Sequence, residues 1–350
     1  MRHTITLIFL LLVLAALLAL PGVRARPALA PRLTPQAEQY IPDGSSDWLR
    51  QTSHTGVRLR AIQFLDAQMG FAAGDAGVFL LSPVGGLDWV RLPTGTDKAI
   101  YALHFFSPTA GWIAGADGLL RRTTNGGSSW TPYTSLFPQN FYALTFAGRD
   151  NGWVAGEQGV IHHYNGSDWL PQSLPGNPTV YALAATDANN AWAAGSGGAI
   201  LHTSDGGNTW TTQTLGITSS FYALAFVDPT RGWAAGTDGI ILHTTDGGQT
   251  WTPQNSGTTR TLRGLAFLDA DNGWAVGDLG TVLHTGDGGT TWQADDTGTG
   301  FDLHAVSFPV VPHAWAAGDA GTILRWQDPN PTPTPTPTLT PTATSTPTAT

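Results

Sequence analysis

The sequence predicts an all-β fold, a seven-bladed β-propeller of four-stranded blades whose last blade is closed by an N-terminal strand. Three observations predict it. An aromatic residue that follows Gly or Ala stands at Phe71, Trp112, Trp153, Trp192, Trp233, Trp274 and Trp315, a step of about 41 residues. That step lies inside the ~40–50 residues of a four-stranded propeller blade. A second series stands at Trp48, Trp89, Trp130, Trp169, Trp210, Trp251 and Trp292, and together the two use thirteen of the fourteen tryptophans. Tryptophan content therefore reports the repeat. Third, Trp48 has no repeat strands before it and Trp315 opens a unit with no final tryptophan after it, so one blade is divided between the two ends of the repeat region.

Along the chain, residues 1–30 carry an early arginine, an apolar run from Ile5 to Leu20 and then small residues, the pattern of a secretory signal cleaved after Ala25 or Ala30, or retained as an anchor. Residues 31–42 read as a linker, and residues 43–327 as the propeller. In the fifth unit "FYALAFVD" reads as strand A, "GWAAG" as strand B, "IILHTT" as strand C and "TWTPQ" as strand D, joined by Gly- and Asp-rich turns. The outer strand of the seventh blade is expected from about Asp43 to Gln51. From residue 328 onward proline alternates with threonine, a composition that cannot build a core and reads as a disordered, extended tail.

Composition narrows the function. Charged residues are 12% of the chain, against roughly 25% in an average globular protein, with a net charge of −9 and a single lysine, Lys98. Nucleic-acid binding, which rests on clustered Lys and Arg, is excluded as an expectation. With no cysteine there is no disulfide and no thiol chemistry. No cofactor and no metal are expected: His163, His202, His243 and His284 recur at one strand C position and are dispersed around the ring.

The segments "DGGNTW" (205–210), "DGGQTW" (246–251) and "DGGTTW" (287–292) are the best copies of a turn in which Asp accepts from backbone N–H groups and the glycines permit positive φ. Chemistry would need its groups to converge on one reacting atom, and these are repeated around a ring. Asp205, Trp210, Asp246, Trp251, Asp287 and Trp292 are therefore read as structural, with no catalytic residue among them. The pattern resembles the Asp-box of bacterial neuraminidase repeats, and the longer form "GWAAGTDGIILHTTDGGQTW" is most similar to the photosystem II stability/assembly factor family, over about residues 43–326. The resemblance implies a propeller that is an exported, non-enzymatic factor binding protein subunits during assembly.

Function is expected where the seven copies differ. Arg60, Tyr101, Tyr142, Tyr181, Tyr222, Arg263 and His304 share one register on strand A and should ring the channel mouth, with Arg58 and Arg260 adding charge. One reading is a binding surface for a protein partner that bears carboxylates; the other is packing between blades and solvated strand ends. Acids in the B–C turns, among them Asp75, Glu157, Asp278 and Asp319, read as turn formers. Every strand D tryptophan precedes the next strand B aromatic by 23 positions, so no loop carries an insertion of the kind that builds an enzyme pocket. The chain is thus expected to be a monomeric protein-interaction module; a glycan-binding protein or a glycoside hydrolase of sialidase or xyloglucanase type is the alternative.

Overall fold

The computed structural model describes residues 48–133, 138–213 and 215–326. The signal, linker and tail expectations, and the stretch 43–47, lie outside them. Within them the chain forms seven antiparallel four-stranded sheets, with no α-helix. Blade 5 is typical: strand A is Phe221–Phe226, strand B Gly232–Gly236, strand C Ile241–Thr244 and strand D Thr252–Gln254, paired in that order. Every residue of strand B is buried in blades 1–6, and in blade 7 all but the half-buried His313, whereas the two- and three-residue D strands of blades 4 and 5 are largely exposed. A runs beside the channel and D lies outermost.

The ring closes as the divided repeat requires. Trp48–Gln51 pairs antiparallel with Ile323–Trp326, giving the seventh blade its outer strand. Arg58 of the loop entering blade 1 reaches Asp319 of blade 7 at 2.5 Å, and Ser53 Oγ donates to Gly321 O at 2.6 Å. Phe64 N donates to Ser307 Oγ, and Trp315 Nε1 to Gly85 O, across the same seam.

Neighbouring blades are joined by a repeated aromatic and polar joint. Trp192 stacks on Phe226 of the next blade at 3.8 Å, Trp233 on Phe267 at 3.6 Å and Trp315 on Phe64 at 3.6 Å. The Asp-box completes the joint. Asp246 accepts from Thr250 N, Thr250 Oγ1 and Thr244 Oγ1, which fixes the hairpin so that the Gly247 carbonyl faces blade 4. That carbonyl accepts both Trp192 Nε1 and Gln213 Nε2, while Gln213 Oε1 accepts Trp251 Nε1. Gly248 has φ 92°, which strains any side chain, and an added Cβ would lie 2.3 Å from Gln213 Oε1 and push that amide out of the clasp. The same clasp recurs through Gln172 with Trp210 and Gln254 with Trp292. At the next seam Asp295 replaces the glutamine, holding Trp48 Nε1 at 2.9 Å and His284 Nδ1 at 2.8 Å.

Candidate partner-binding site at the channel mouth

The strand A residues singled out by register come together. In each blade the ladder between strands A and B shifts by one residue directly after the first position of A, and the residue left over is Arg60, Tyr101, Tyr142, Tyr181, Tyr222, Arg263 or His304. A β-bulge of this kind re-aims a side chain out of the alternating pattern. Seven bulges thus turn seven half-buried side chains toward one end of the channel. The channel itself has a volume of about 200 Å³, and beyond the ring it is lined by small and aliphatic side chains such as Ala102, Leu103, Ala223 and Leu224.

The ring is continuous. Arg60 lies over the Tyr101 ring at 5.0 Å; Tyr101, Tyr142, Tyr181 and Tyr222 follow one another at centroid distances of 5.2, 5.7 and 4.9 Å; Arg263 lies over Tyr222 at 5.7 Å. His304 completes it between Arg263 and Arg60. Two cations thereby cap a tyrosine arc, an arrangement favoured by the ring quadrupole.

Neither arginine is a bare charge. Arg60 Nε donates to Asp75 at 2.5 Å, Arg263 Nε donates to Asp278, and His304 Nε2 stands 2.7 Å from Asp319, which also holds Arg58. The carboxylates sit fifteen residues after their partners, at the first position of the B–C turn, so they serve the ring as well as the turn. In blade 3 the same position is Glu157, whose Oε1 accepts from Tyr142 Oη at 2.7 Å and from Asn140 Nδ2 at 2.8 Å. Burial and this bond push the Tyr142 phenol up to about 12, and the same bond holds the Glu157 carboxyl below its ordinary range. Burial lowers His304 below the ordinary imidazole range, against the pull of Asp319. The mouth is therefore a mixed surface of aromatic faces and ion pairs, and a partner meets dipoles as well as charge.

The other residues weighed in the sequence lie elsewhere. Asp205, Asp246 and Asp287 are spent on their own hairpins, and Trp210, Trp251 and Trp292 on the clasps. His163, His202, His243 and His284 each lie across from the strand B tryptophan of their own blade, at 4.5–5.1 Å, and are not brought together. Sequence reasoning missed the bulge, the carboxylate partners and the glutamine clasp. The last two leave traces, a spacing of fifteen and a Gln three residues after Trp169, Trp210 and Trp251.

Comparison with known proteins agrees with this architecture. Residues 164–256 and 252–327 match the family model described as "Photosynthesis system II assembly factor YCF48". A search of the curated proteins returned no match. Among solved structures, YCF48 bound to D1 peptide superposes with a TM-score of 0.68 at 20% identity, covering 80% of this chain and 96% of that one. YCF48 from Cyanidioschyzon merolae gives 0.67 at 19% identity over 80% and 98%. A streptogramin B lyase gives 0.69 at 14% identity over 80% and 97%, a likeness of fold alone.

Proposed function

We propose that this β-propeller, which is similar to the photosystem II assembly factor YCF48, is an exported, non-catalytic assembly module that binds a protein partner at the mouth of its channel. The observation that carries the reading is the set of seven bulges, which place the variable side chains of every blade on one end face. Tyrosine and arginine are enriched among the side chains that concentrate binding energy in protein interfaces: tyrosine buries a large amphipathic area with two side-chain torsions, and arginine presents a planar fork of donors. The solved YCF48 structure with a D1 peptide supports a protein or peptide ligand for a propeller of this build. Export is proposed from the N-terminal residues 1–30.

The double substitution Arg60→Ala with Arg263→Ala tests the site. Both ion pairs are about one-third exposed, so their loss should leave the melting temperature nearly unchanged. Capture of the partner from membrane and exported fractions of the source cell should fall about tenfold, the scale of an interface anchor. Undiminished capture contradicts the reading. Turnover of sialoside or xyloglucan substrates by the purified protein contradicts its non-catalytic part.

A further inference from the structure

Blade 6 departs from its six counterparts at one exposed residue on the mouth side. The middle residue of every B–C turn has positive φ, and at the other six it is Ala76, Asp117, Gln158, Gly197, Asp238 or Ala320. Here it is Leu279, at φ 54°, with 58% of its surface exposed. A bulky side chain in the left-handed region is unfavourable, and nothing is gained by packing it in water. Outliers of this kind concentrate where a ligand is held.

A second exposed apolar residue sits one position from a group that this turn touches. Leu279 N donates to Asp302 Oδ1 at 2.9 Å, and the preceding residue, Phe301, is 42% exposed. At the equivalent position the other blades carry Val57, Lys98, Gln139, Pro178, Ser219 and Arg260, so an aromatic occurs in blade 7 alone. Two exposed arginines flank the pair. Arg260 Nη1 donates to Leu279 O and Thr281 Oγ1, and the Arg50 guanidinium lies 5.8 Å from the Phe301 ring. Among the described residues neither has a carboxylate within ion-pair distance, unlike Arg58, Arg60 and Arg263.

We propose that Leu279 and Phe301 are an apolar anchor point for an extended peptide segment of the protein partner, one that places an apolar side chain beside a carboxylate. The apolar side chain covers Leu279 and Phe301 and the carboxylate meets Arg260 or Arg50. This rests on the reading of the mouth as a protein-binding face and adds an off-centre contact to it.

The test is selection of a phage-displayed random dodecapeptide library on the full propeller, followed by affinity measurement of the selected peptides on variants. Peptides with an apolar residue next to Asp or Glu are expected. Leu279→Gly and Phe301→Ser should each weaken them at least tenfold, and Leu279→Gly should keep or raise the melting temperature because glycine relieves the strained φ. Peptides that bind Leu279→Gly as tightly as the parent, an unenriched library, or a lowered melting temperature for Leu279→Gly overturn the anchor. If Arg60→Ala with Arg263→Ala abolishes binding while the two apolar variants keep it, the mouth reading stands and the anchor falls. The reverse pattern leaves the anchor and removes the ring.

Discussion

Single carboxylates and phenols fix where hydrogen bonds are aimed, and their titration reports it. In the Asp-box, bonds from Thr209 and Thr250 hold Asp205 and Asp246 down at about 2, against 3.8 for a free aspartate. The unfolded chain therefore binds more protons in this range, so the stabilisation is present above about pH 4 and is lost as pH falls toward 2. Acid unfolding followed by circular dichroism should show that Asp205→Ala with Asp246→Ala flattens the pH dependence in that window; an unchanged profile would mean the hairpin bonds are not made. At the mouth, Tyr142 should ionise only near pH 12, and Glu157→Gln should lower its midpoint by removing the charge that its hydroxyl donates to. Ultraviolet titration of parent and variant measures this directly.

The elements owe their order to polar joints between blades as much as to the aromatic core. Gln213 bonds Trp251 Nε1 and Gly247 O at once, so Gln213→Leu leaves both without that partner and should cost about 1–3 kcal/mol in urea unfolding. A cost indistinguishable from zero would show that water replaces the clasp. A second device runs through strand C, where burial lowers His163, His202 and His243 below the ordinary imidazole range. The folded state then prefers neutral imidazoles. Their contribution is whole above about pH 6.5 and declines as pH falls. The strands themselves were legible because a period of two, a Gly-bounded strand B and the Asp-Gly-Gly hairpin are local signals. In blade 5 the sequence placed strand D at 250–254, and pairing begins only at Thr252 because Trp251 turns inward to the clasp. That inward turn depends on a glutamine in the preceding blade, a contact no local pattern reveals.

At the scale of the whole molecule, closure and the functional face have different origins in the sequence. Closure was readable from two incomplete units, since a ring of repeats must find its missing strand at the other end of the chain. Removing residues through Arg50 takes away three of the four closing residues and the Trp48 contact with Asp295, so the truncated protein should lose cooperative unfolding altogether. An unchanged melting temperature would show that blade 7 holds on three strands. The ring at the mouth was readable only as a register of unlike residues; the fifteen-residue pairing that neutralises its arginines appears once the B–C turn folds back over strand A. The bulges that aim it depend on main-chain geometry and leave no mark in residue type. Whether this end face meets a protein is decided by placing a photo-crosslinking amino acid at Tyr142 and, separately, at Thr252 on the outer strand, then illuminating the source cells. A discrete crosslinked protein is expected from position 142 and none from position 252. Crosslinks confined to the outer strand would contradict it.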